Sequence, residues 1–164
     1  MIEFNTPVEG CEYALQKKPG RLVEIGGGGG ESSLKFLKLA EKYSQRLLVI
    51  DAWESGWDSM PKSYRYKESE FLLITDKYKD FLDTHKTSSL YASAEEACKG
   101  EICFAYVDGL QWKGAVLSDL RIVSHAYMIC IDDNNRTEVS SAIDAYIKQT
   151  GRELIVKERY SFIL

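Results

Sequence analysis

Apolar residues along this chain fall into two alternating rhythms. Compact runs at 21–25, 46–50, 102–107 and 127–131 are almost continuously apolar, as strands buried on both faces are. Between them lie stretches with apolar residues three and four apart, the spacing of a helix with one buried face. The repeated switch predicts an α/β fold built on a parallel sheet. A short helix is expected at 12–17, closed by Pro19 and Gly20, and a longer one from Glu31-Ser32-Ser33 to about Tyr43. Further helices are expected at 69–85, 114–123 and 138–149, the last stopped by Gly151, with a turn or two at 94–99. A short third strand is expected at 89–92, and 154–164 supplies one strand or two in a tight hairpin. Residues 52–67, with Trp53, Trp57, Tyr64 and Tyr66, read as a loop or lid. The outcome is a Rossmann-like, doubly wound, mostly parallel sheet of six to seven strands with helices on both faces, in a single domain over 1–164.

Composition narrows the partners. Asp plus Glu (25) exceed Lys plus Arg (21), giving a net charge of -4, which argues against a broad nucleic-acid surface. No apolar run approaches the roughly 20 residues of a membrane helix. Met1 to Asn5 lack the charged and apolar regions of a signal peptide. Cys11, Cys98, Cys103 and Cys130 form no CxxC pair, and the last three read as small core residues. A reduced, cytoplasmic chain is the expectation.

In doubly wound sheets, ligands sit outside the carboxyl ends of the strands. Here those ends are marked by Gly26, Asp51, Asp108 and Asp132. Five glycines, Gly26 to Gly30, join the first strand to the next helix, and Gly26, Gly28 and Gly30 satisfy GxGxG. The dinucleotide spacing GxGxxG fails, because its third glycine falls on Glu31 or Ser32. No lysine follows as a phosphate-binding P-loop requires. A plain glycine-rich turn beside a solvated Asp51 is the other reading.

Asp108 ends the fourth strand, and Asp132 and Asp133 end the fifth. Strand ends of a parallel sheet share one rim, and three converging carboxylates repel unless a cation joins them. Oxygen-rich groups of this kind suit Mg²⁺, which can lower the pKa of a hydroxyl. Solvated loop acids, or a helix cap at Asp133, are the alternatives.

The GxGxG loop, preceded by Glu24 and followed one strand later by Asp51, resembles the first motifs of class I S-adenosylmethionine-dependent methyltransferases. That resemblance implies that Glu24, Gly26, Gly28, Gly30 and Asp51 bind the cofactor, with Asp51 on the ribose hydroxyls. It also implies that Trp53 packs on the adenine and Ser93 meets its amine. The ordered set Glu24-Ile25-Gly26, Gly30, Ser32, Val107-Asp108-Gly109, Gly114, Asp119-Leu120 and Ile131-Asp132-Asp133 is similar to the methyltransferase family 24 type, near macrocin-type sugar O-methyltransferases. Related enzymes hold a divalent cation on the matching acids, which implies Asp108, Asp132 and Asp133 as metal ligands, Asn134 as a spare, and Asp108 as the catalytic residue. Two departures stand out. Gln111 occupies a position where the family commonly has His, and Ser124-His125-Ala126 replaces its glycine turn before the fifth strand. Gln cannot act as a base.

The expected function is transfer of a methyl group from S-adenosylmethionine to a hydroxyl of a small molecule or sugar, with Mg²⁺ help and no nucleic-acid or membrane partner. A homo-oligomer could complete so small a site. Trp57, Tyr64 and Tyr66 are candidates to line the acceptor pocket, and His125 is a candidate base. The alternatives are a divergent, non-catalytic cofactor-binding module of the same fold and a nucleotide-binding Rossmann-like protein.

Overall fold

The computed structural model describes residues 4–55 and 65–164. Its elements run α1 (Pro7–Lys17), β1 (Arg21–Ile25), α2 (Glu31–Lys42), β2 (Leu47–Asp51), α3 (Glu68–Thr75), a 3₁₀ segment (Asp76–Phe81), β3 (Leu82–Lys86), α4 (Ala92–Ala97), β4 (Ile102–Val107), α5 (Lys113–Ile122), β5 (Met128–Ile131), α6 (Thr137–Thr150), β6 (Leu154–Lys157) and β7 (Tyr160–Ile163). One seven-stranded sheet has the order β3-β2-β1-β4-β5-β7-β6. Strands β1 to β5 pair in parallel, β7 runs antiparallel to β5, and β6 completes a hairpin with it. The doubly wound sheet read from the apolar rhythm is therefore present, and 154–164 takes the hairpin form.

Two cores cover the two faces, because successive strand residues point to opposite sides. Val23, Ile25, Ala105 and Val107 pack with Leu120 of α5 and Ala142 of α6. Leu22, Val49, Phe104 and Tyr106 pack with Cys11 of α1 and Phe36 of α2. All four cysteines are buried and free. Among the described residues, no helix is long and apolar enough to cross a membrane.

Helix α1 begins five residues before its expected start. Thr6 and Glu9 form a reciprocal capping box around Pro7 at the first helical position, which stabilises the extra turn.

The third strand is corrected. It lies at Leu82–Lys86, inside the stretch expected to be helical, and 89–92 is not a strand. The helix reading fails at Tyr78, where φ −109° and ψ 16° leave helical geometry. The strand was hidden because Leu-Asp-Thr-His-Lys has no apolar alternation. As the sheet's edge it is only partly buried, and it pairs on one side with β2. Arg46 braces it, donating to both Asp83 oxygens and to the carbonyls of Asp80 and Leu82. His85 therefore sits in a strand and not at a helix end.

Candidate active site

The sheet order reverses between β1 and β4, and the residues leaving those strands meet. Asp108 N–H donates to Ile25 C=O at 2.9 Å, so β4 continues one residue beyond its ladder against β1. Gly26 turns away at φ +95°, and a Cβ there would stand 2.2 Å from the Asp108 carbonyl oxygen. Only glycine lets the two chains approach this closely.

Asp51, at the end of β2, ties down the glycine loop. Its carboxylate accepts from Gly28 N–H at 2.9 Å and from Trp53 N–H at 2.6 Å, one on each oxygen. Each oxygen keeps acceptor capacity for a further donor. Glu24 anchors the loop's other end. It is fully buried on β1, and its two oxygens accept from the hydroxyls of Ser32 and Ser33 in the first turn of α2. Burial pushes its pKa up to about 7, opposed by those two hydroxyls and assisted by nearby Asp51. Glu24 thus lies beneath the loop.

A cleft of about 350 Å³ opens over the strand ends, between Gly26 and Asp51 on one side and Gly109 and Leu110 on the other. That volume is in the range of small-molecule sites. Its far wall is Thr87-Ser88-Ser89-Leu90-Tyr91, which follows β3. Leu90 is 42% exposed and Tyr91 66%, which offers an apolar edge beside small hydroxyls. Sequence reasoning missed this wall because the third strand was placed on it. The signal lay in the hydroxyl run Thr87-Ser88-Ser89.

Several expected roles take different positions. Trp53 is 3% exposed and braces the loop from below, donating from its indole to Gly28 C=O at 3.2 Å and packing on Phe71. It is not among the residues that line the cleft, whose apolar edge is formed by Leu90 and Tyr91. Ser93 is exposed on α4, its hydroxyl 3.1 Å from that of Thr87, which itself lines the cleft. Tyr66 lies over Gly28 and Gly29, its ring 3.0 Å from where a Cβ of Gly29 would be. Trp57 and Tyr64 lie outside the described residues. His125 is within hydrogen-bonding distance of the Cys98 and Gly100 carbonyls, which ties it to the turn before β4 and away from Asp108.

The acids beyond Gly109 do converge, but on an arginine. Asp132 and Asp133 both contact Arg159, from the turn between β6 and β7. Asp108 stands beside them. Burial, together with Asp132, Glu24 and Asp133, pushes its pKa up to about 8, while Arg159 opposes the rise. Arg159 thus stands among the acids expected to hold a metal, in contact with Asp132 and Asp133 and close to Asp108. Among the described residues, no three His, Cys, Asp or Glu side chains are grouped to hold a metal ion. Gln111, where the resemblance leads one to expect His, donates its amide to Asp133.

Asp119 of α5 is the remaining buried acid. It is fully buried behind Gly109, and neither carboxylate oxygen has a hydrogen-bond partner. Burial pushes its pKa up to about 7; the nearby Ser89 hydroxyl opposes that without completing a bond. The folded value lies above the unfolded one, so folding takes up a proton between about pH 4 and pH 7, and stability falls as pH rises through that window. Three pKa units correspond to ~4 kcal/mol, part of which an amide would retain as its own desolvation cost. Asp119→Asn should therefore raise the thermal midpoint by about 4–8 °C at pH 8 and by little at pH 4. Thermal unfolding at the two pH values checks this; an equal change at both would show that the acid is not the cause.

No protein-family model matches the sequence, and no curated protein matches it. The structure, however, is similar to solved methyltransferases. CalS11, a TDP-rhamnose 3'-O-methyltransferase of calicheamicin biosynthesis, aligns with a TM-score of 0.72 at 14% identity, over 95% of this chain and 76% of that one. PaMTH1 of Podospora anserina, bound to S-adenosylhomocysteine, aligns with a TM-score of 0.69 at 12% identity, over 99% and 79%. The O-methyltransferase TomG of Streptomyces achromogenes, in complex with S-adenosylmethionine, gives 0.62 at 13% identity, over 100% and 81%. At these identities the likeness is one of architecture, and this chain has the seven-stranded α/β fold of class I methyltransferases.

Proposed function

We propose that this protein transfers the methyl group of S-adenosylmethionine to a hydroxyl of a small molecule or sugar. The carrying observation is Asp51. It ends β2, faces the cleft, is held by Gly28 and Trp53, and keeps acceptor capacity on both oxygens for the two hydroxyls of a ribose. The hydroxyl-lined wall with Leu90 and Tyr91 suits a purine, and neighbours of the same fold carry S-adenosylmethionine or S-adenosylhomocysteine.

The chemistry asks for alignment above all. The acceptor oxygen attacks the methyl carbon in line, the carbon–sulfur bond breaks with its electron pair going to sulfur, and the hydroxyl proton must leave. Asp108, next to the cleft-lining Gly109 and with a pKa near 8, is the candidate to take that proton. The rim of acids does not suit a nucleic-acid acceptor. The residues present do not fit Mg²⁺, so no step is assigned to it.

Calorimetry with S-adenosylhomocysteine tests the cofactor half. Wild type should bind in roughly the micromolar range, and absence of heat at about 1 mM ligand would overturn the reading. Asp108→Asn should retain that affinity while methyl transfer from labelled donor to hydroxylated acceptors falls by about 100-fold or more. A second reading, cofactor binding without turnover, is favoured by Gln111, which stands where the resemblance expects His and whose amide is committed to Asp133. Turnover of any acceptor dismisses it.

A further inference from the structure

The acid end of the rim carries its own cation. Asp132 is 6% exposed, and its carboxylate accepts four hydrogen bonds. Arg159 Nε at 2.6 Å and the Asp133 N–H at 2.7 Å reach Oδ1, while Arg159 Nη2 and the Tyr106 hydroxyl reach Oδ2, the latter at 2.9 Å. Four bonds fill the acceptor capacity of a carboxylate. Asp133 faces Arg159 Nη2 at 3.1 Å, Arg136 Nε at 3.2 Å and the Gln111 amide. The planar guanidinium fork matches this carboxylate pair as a point charge does not.

Arg159 is also held in place from behind. It sits in the turn between β6 and β7, and Asn134, the expected spare metal ligand, pins that turn instead. The Asn134 N–H donates to Arg159 C=O at 2.9 Å, and its side-chain amide donates to Tyr160 C=O at 2.7 Å. The Tyr160 ring lies beneath the guanidinium, 5.5 Å away. A divalent cation requires open carboxylate oxygens and brings its own waters. To enter here it would have to expel Arg159 from Asp132 and break the bidentate pair.

We infer that Arg159 is the resident cation of this rim, standing where the resemblance places Mg²⁺, so that the aspartates are held together without a divalent metal. The inference takes the rim to be the acceptor end of the methyltransferase site proposed above, but its test does not depend on that reading.

The probe is Mn²⁺, whose free aqueous form gives a paramagnetic resonance signal that disappears on binding. Titrated to about 1 mM into the whole protein, it should show no bound fraction with wild type. Arg159→Met, which empties the fork, should bind Mn²⁺ at least about tenfold more tightly, and Asp132→Asn added to it should abolish the gain. Wild-type binding that Asp132→Asn removes would overturn the inference, as would a folded Arg159→Met that gains none. If Arg159→Met does not fold, the wild-type titration decides alone. Calorimetry with S-adenosylhomocysteine on the same sample separates the two readings: its failure would sink the methyltransferase reading and leave the Mn²⁺ result standing.

Discussion

Asp51→Ala is expected to weaken binding of S-adenosylhomocysteine by about 100-fold or more. Two hydrogen bonds from ribose hydroxyls to one carboxylate contribute ~1.5–3 kcal/mol each, and every 1.4 kcal/mol is tenfold in affinity. The substitution has a second effect of the same sign. It leaves Gly28 N–H and Trp53 N–H without their carboxylate partner, so the glycine loop loses its fixed shape before the ligand arrives. Asp51→Asn separates the two effects. An amide oxygen can still accept from one backbone N–H, so the loop is partly kept while the charge is lost. It should fall between wild type and alanine. Calorimetry measures the affinities, with circular dichroism confirming the fold; an Asp51→Ala protein that binds within about threefold of wild type would remove Asp51 from the cofactor site.

Gly26→Ala is expected to lower the thermal midpoint by about 10 °C, from a destabilisation of ~3–5 kcal/mol. Two costs coincide there: a positive φ that an L side chain adopts only under strain, and a methyl group driven to 2.2 Å from a backbone oxygen that cannot swing aside. Gly100→Ala is the matched control. Its φ is +106°, but nothing stands within 4 Å of the added carbon. That variant should lose only the strain, ~1–2 kcal/mol. Equal losses at the two positions would show that the approach of β1 to β4 is not tight in solution.

What was legible in the sequence was whatever depends on near neighbours. The apolar runs of β1, β2, β4 and β5 marked strands because a central strand buries both faces, and the glycines and aspartates that end them stood out by chemistry alone. Asp51 and Gly28, both marked by motif, come together at the strand ends. Three things were not legible. Strand β3 is polar because it lies at an edge, and sequence periodicity reports burial before conformation. Trp53 points under the loop because its φ is +41°, a turn no apolar pattern announces. Arg159 meets Asp132 across 27 residues, through a hairpin that folds back antiparallel to β5. The motif that named the three acids carried no trace of the cation that answers them.

The polarity that concealed β3 also bears on how these molecules behave at high concentration. An edge strand presents a row of unpaired backbone groups, and a flat apolar one is a template for another chain. Here Asp83, His85 and Lys86 lie along the edge, and Arg46 already occupies the carbonyls of Asp80 and Leu82. A second molecule docking strand to strand would have to strip charged side chains and displace a guanidinium. This side of the sheet is therefore guarded against self-assembly into continuous sheets, and replacing Asp83 and Lys86 by valine and threonine would open the route that the native sequence closes.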